Sequence, residues 1–86
     1  MNLIEIDGIT FGYNTSSTTQ YDDYTETDHN FGWKGILEFS VIERSDWQYL
    51  YLVCTKLGNY ILSESFQTTE KLKKRILQIC KNYTDL

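Results

Sequence analysis

Residues 37–54 read Leu37-Glu38-Phe39-Ser40-Val41-Ile42-Glu43-Arg44-Ser45-Asp46-Trp47-Gln48-Tyr49-Leu50-Tyr51-Leu52-Val53-Cys54. Leu37, Phe39 and Val41 alternate with Glu38 and Ser40, the period of two that turns one strand face toward a core and the other toward water. Ser45-Asp46 supplies a turn. Beyond it Trp47, Tyr49, Tyr51 and Val53 alternate with Leu50, Leu52 and Cys54, so this second run is apolar on both sides and reads as the centre of a sheet. A third strand follows Gly58-Asn59 and runs from Tyr60 to about Phe66. Trp33 to Phe66 is thus a three-strand antiparallel meander.

Toward the C-terminus the period changes. Leu72, Ile76, Ile79, Cys80 and Tyr83, with Leu77 beside them, fall on one stripe of a helix. Thr68 or Thr69 can cap it, and Glu70 sits in the first turn, where a carboxylate favours the positive end of the dipole. Lys71, Lys73, Lys74, Arg75 and Lys81 then lie on the outer face. They form a solvated surface, a basic contact patch or a set of salt-bridge partners.

Toward the N-terminus, Asp7-Gly8 is a favoured two-residue type I′ turn between flanks that alternate in polarity. A hairpin across it sets Ile6 opposite Ile9, Ile4 opposite Phe11 and Asn2 opposite Tyr13. The alternative is one long strand with a bulge at Gly8. Between hairpin and meander, residues 14–30 contain no Val, Ile, Leu or Met and are dense in Thr, Ser, Asp and Tyr. They read as a long acidic loop. Loops beyond about 12–15 residues are uncommon in compact domains unless functional or disordered, so this one is either a contact surface or a solvated connector.

The 86 residues make a single domain, 1–86, with 41% hydrophobic and 15% aromatic residues, too rich for a disordered chain. The expected class is α+β: an antiparallel sheet of about five strands, the N-terminal hairpin plus the meander, with one amphipathic C-terminal helix on one face. Met1 to Glu5 lack the basic start of a signal peptide, and no apolar run approaches the length of a membrane span. A cytoplasmic, non-membrane protein is expected. Cys54 and Cys80 have neither CxxC nor His-rich spacing; they read as two buried thiols, with a disulfide or a reactive thiol as the other possibilities.

Charge is unevenly spread. Residues 1–66 carry ten acids against three bases, net -7, whereas residues 67–86 carry two acids against five bases, net +3. The negative charge is densest where Asp22, Asp23, Glu26 and Asp28 lie among Tyr21, Tyr24 and His29. Overall the charge is -4, and the cations outside the helix are too few for counterion release on nucleic acid, so direct DNA or RNA binding is disfavoured. Carboxylates with aromatic neighbours suit a basic protein instead, because they can fill the Lys and Arg sites that a partner offers to phosphates. The candidate contact residues are therefore Asp22, Asp23, Glu26, Asp28, Tyr21, Tyr24 and Trp33.

Enzyme chemistry has little to stand on. His29 is the only histidine, and an enzyme would have to be built on it and a cysteine. The glycines form no phosphate loop, and the acids do not have the spacing of an EF-hand, so neither cofactor nor metal is expected.

Gly58, then Tyr60-Ile61-Leu62-Ser63-Glu64-Ser65, then Glu70 with the rhythm of Leu72, Ile76 and Leu77 and a closing Lys81-Asn82, resemble the C-terminal half of small anti-CRISPR inhibitors of Listeria prophages. The likeness covers about a third of the chain, Leu52 to Asn82. It implies an acidic phage-encoded protein that occupies a type II RNA-guided nuclease's site for the duplex beside the target, and so acts as a DNA mimic. Of the acidic contact residues that the resemblance implies, Glu64 aligns by the motif. Those inhibitors begin with a helix, whereas Asn2 to Tyr13 here reads as a hairpin. The expected partner is a basic, nucleic-acid-handling defence nuclease. The alternatives are an immunity protein that neutralises a basic toxin and a protein that sequesters a small signalling nucleotide.

Overall fold

The computed structural model describes the backbone of residues 2–6 and 9–82, and the side chains of residue 12 and of residues 15–82. Six strands form one antiparallel sheet in chain order: β1 (Asn2–Ile6), β2 (Ile9–Gln20), β3 (Thr25–Trp33), β4 (Leu37–Arg44), β5 (Leu50–Lys56) and β6 (Asn59–Phe66). One helix follows, α1 (Thr69–Asn82). The α+β class and the helix packed on one sheet face are as the sequence indicates.

The first hairpin pairs Ile4 with Phe11 and Ile6 with Ile9, as expected, but a register shift places Asn2 opposite Asn14 and not Tyr13. The Asp7-Gly8 turn lies outside the described residues.

The largest correction concerns residues 14–30. They are not a loop: β2 continues to Gln20 and β3 starts at Thr25, leaving only residues 21–24 as the connection. No apolar residue is needed, because the strands are zipped by polar cross-strand pairs. Thr18 Oγ1 lies 3.1 Å from Thr27 Oγ1, and Ser16 Oγ lies 2.9 Å from His29 Nδ1. Thr is β-branched and suits extended backbone, and such pairs stabilise a ladder even in water. The extra strand raises the count from about five to six.

The meander forms, with two adjustments. Trp47 to Tyr49 belong to the β4–β5 connection, and β5 begins at Leu50. β5 is also next to the edge, with β3 and β4 at the middle. What makes it apolar on both sides is α1 on one face and the aromatic cluster described below on the other. The β3–β4 and β5–β6 connections are tight turns in which Lys34 (φ 53°) with Gly35 (φ 68°), and Leu57 (φ 50°) with Gly58 (φ 84°), occupy the left-handed region. Two successive positive φ angles match the twist of the flanking strands.

One face of the sheet meets the helix. Phe31 and Trp33 from β3, Leu37, Phe39 and Val41 from β4, and Leu52 and Cys54 from β5 bury against Leu72, Ile76, Ile79 and Cys80 of α1. Thr68 is the N-cap: its Oγ1 accepts from Lys71 N–H at 3.2 Å, and its carbonyl accepts from Leu72 N–H at 3.2 Å. Tyr83, the last residue of the expected stripe, lies outside the described residues. Arg75 departs from the outer basic face, because its guanidinium pairs with both oxygens of Glu64 on β6 at 3.1–3.3 Å and fastens the helix to the sheet.

Candidate functional site

The turn between β2 and β3 gathers most of the predicted contact residues. Tyr21 N–H donates to Tyr24 C=O at 2.8 Å and closes the turn; Thr25 Oγ1 donates to Gln20 Oε1 at 2.8 Å below it. Asp22 and Asp23 lie exposed at the tip. The rings of Tyr21 and Tyr24 stack with centroids 4.7 Å apart.

Behind this turn stands a residue that the sequence reading passed over. The Arg44 guanidinium lies 3.5 Å from the Tyr24 ring centroid and 4.7 Å from that of Trp47. Two parallel bonds hold it to Asp46, Nε to Oδ1 at 2.9 Å and Nη2 to Oδ2 at 2.6 Å. Trp47 continues the stack onto Tyr49 at 4.8 Å and meets the edge of Tyr51 at 6.4 Å. The result is a ladder, Tyr21, Tyr24, Arg44, Trp47 and Tyr49, across the end of the sheet. Its two terminal rings, Tyr21 and Tyr49, are the exposed ones, at 43% and 38%. Hydrogen bonding to Asp46 raises the Arg44 pKa above its ordinary value, and the same bonds hold the Asp46 carboxyl below the ordinary carboxylate range. Two bonds brace the turn from the β4–β5 connection: Thr25 N–H donates to the Ser45 side-chain Oγ, and Ser45 N–H donates to Thr25 C=O, both at 2.9 Å.

Glu26 and Asp28 follow on β3. Glu26 stands opposite Arg44 and Asp28 opposite Ile42, on the face turned away from α1. The helix lysines therefore lie across the sheet from them. Among the described residues no ion pair involves Asp22, Asp23, Glu26 or Asp28; the pairs present are His29–Glu43, Arg44–Asp46 and Arg75–Glu64. One oxygen of Asp28, Oδ1, is buried without a hydrogen-bond partner.

Trp33 does not belong to this surface. It is 5% exposed, lies in the core beneath the helix, and carries Lys34 Nζ over its ring at 4.7 Å. A nine-residue β3 with Phe31 facing the helix requires Trp33 to face it too, by the alternation of strand side chains. Of the candidate residues, Tyr21 to Tyr24 lie together at the turn, Glu26 and Asp28 follow on β3, and Trp33 is buried apart from them, whereas Tyr49 is exposed at the far end of the ladder.

His29 lies on the helix face. Its Nδ1 meets Ser16 Oγ at 2.9 Å and its Nε2 meets Glu43 Oε2 at 3.3 Å, so the ring is held from both sides by neighbouring strands. Neither cysteine takes part. Cys54 and Cys80 are buried and reduced, and burial pushes their thiols up to about 11 and about 12. Among the described residues no group of three or more His, Cys, Asp or Glu side chains converges on a point that could hold a metal ion. No helix among them is long and apolar enough to cross a membrane. Comparison with protein-family models, with curated proteins and with solved structures finds no match to this chain.

Proposed function

We propose that this chain is a stoichiometric inhibitor that binds a basic protein surface through the β2–β3 turn. In the most specific form of this reading, the partner is a nucleic-acid-handling defence nuclease of a phage's host, and carboxylates occupy the ground that phosphates otherwise fill. The observation that carries it is the exposed, unpaired Asp22-Asp23 tip mounted on the Arg44 ladder. A contact loop that is already ordered loses less conformational entropy on binding than a mobile one, so its charges contribute more to affinity. Tyr21 and Tyr49 offer flat, rigid area at the two ends of the ladder, suited to the guanidinium groups of a partner. Glu26 and Asp28 extend the same sign of charge down the open sheet face.

The test uses a guide-loaded type II nuclease and labelled target duplex. Duplex binding should fall to zero near one equivalent of the protein. Asp22→Lys/Asp23→Lys should need about tenfold more protein, since reversal both removes two exposed ion pairs and adds repulsion, and it should flatten the salt dependence. Undiminished duplex binding at excess protein rules out this partner. Capture of a basic toxin by the same tip would move the reading to an immunity protein.

A further inference from the structure

On the opposite face, between the start of α1 and strands β2 to β4, the core is left open at its edge. A cleft of about 240 Å³ is floored by carbon from Phe31, Val41 and Ile76, all nearly inaccessible to solvent, and its rim carries His29, Glu43 and Lys73. It shares Glu43, Leu50 and Thr69 with a larger, more open trough of about 520 Å³ lined also by Trp47. An apolar hollow with a few polar groups on its rim is the form of a small-molecule site, although this one is smaller than the roughly 300–1,000 Å³ of drug-sized sites.

The rim decides the head group. The Glu43 carboxylate disfavours an anion, and the Lys73 ammonium disfavours a cation. His29 is engaged on both ring nitrogens, by Ser16 Oγ and by Glu43 Oε2, so its own hydrogen-bonding capacity is taken up. A neutral hydroxyl is repelled by neither group, and it can donate to the carboxylate or accept from the ammonium. We infer that this cleft binds a small neutral amphiphile, an aromatic or short aliphatic body with a hydroxyl head. The site is separate from the acidic tip and does not depend on the role proposed for it.

The experiment is an NMR titration of the intact protein with phenol, benzoate and benzylamine, three probes of one ring and different head charge. Phenol should give saturable shifts of the Val41, Leu72 and Ile76 methyls and of the His29 ring. Benzoate and benzylamine should bind at least about fivefold more weakly, because each meets a like charge on the rim. Glu43→Gln, a substitution at a half-exposed position that leaves the core intact, should narrow the gap between benzoate and phenol; Asp22→Lys/Asp23→Lys should leave all three titrations unchanged. No saturable shift with phenol overturns the site. Equal binding of the three probes, or shifts scattered outside the cleft, reduces it to nonspecific apolar contact and overturns it equally.

Discussion

The guanidinium of Arg44 lies 3.5 Å from the ring centroid of Tyr24, and this contact joins the β2–β3 turn to the β4–β5 connection. Arg44 also lies 4.7 Å from the Trp47 ring centroid and is held by Asp46 through two parallel bonds. Three contacts of two kinds therefore converge on one side chain, and an otherwise polar hairpin end acquires a fixed shape. The acidic tip inherits its order from a cation.

Removing that cation should loosen the tip and leave the core intact. For Arg44→Ala, faster amide exchange is expected at residues 21–25, with little change at Phe39 or Ile76. Equal protection in the variant would show that the turn is ordered by its backbone bonds alone. The same junction should respond to acid. The folded Asp46 pKa lies below its ordinary 3.8, so its stabilising contribution is present above that value and is lost as pH falls through the lower, folded pKa. Tip protection should therefore decline below about pH 3.8 and be steady above it, and Asp46→Asn should abolish the dependence.

Leu57 occupies the left-handed region at φ 50° and is 69% exposed, so it carries backbone strain that little burial offsets. Asn and Gly adopt this conformation at lower cost. Leu57→Asn is expected to stabilise the protein by about 0.5–1 kcal/mol, raising Tm by roughly 2–8 °C for a domain of this size. Gly58→Ala should do the opposite by about 1 kcal/mol or more: nothing lies near the added Cβ, but φ is 84°. Thermal unfolding of the two variants checks both signs, and a destabilised Leu57→Asn would contradict the strain assignment.

The two buried thiols should be unreactive in the folded protein. With pKa values pushed to about 11 and about 12, a thousandth or less of either is thiolate at about pH 8, and the core excludes reagent as well. Labelling with an aromatic disulfide reagent is expected to proceed at the rate of unfolding and to accelerate in step with denaturant. Rapid labelling under native conditions would mean that the interface between β5 and α1 opens without global unfolding.

The periodicities of the sequence determined the meander, the register near Ile4 and Ile6, and the helix, because alternation and the helical repeat are local properties that burial of one face enforces; the choice of Thr68 over Thr69 as its cap was made by the structure. They also located the acids, whose exposure at the tip follows from there being no apolar residue to draw them inward. Residues 14–30 were misread because their strand character does not lie in their own hydrophobicity. It comes from Thr18 meeting Thr27 and Ser16 meeting His29 across the ladder, partners that only chain pairing brings together. Trp33 turned inward for the same kind of reason, since the side of a strand a residue faces is fixed by neighbours on other strands. Arg44 was invisible as an organiser because a charge at the end of a strand reads as solvated. Its place between Tyr24 and Trp47 exists only after three strands have registered, and cation–ring attraction acts only at the contact distance which that registration creates.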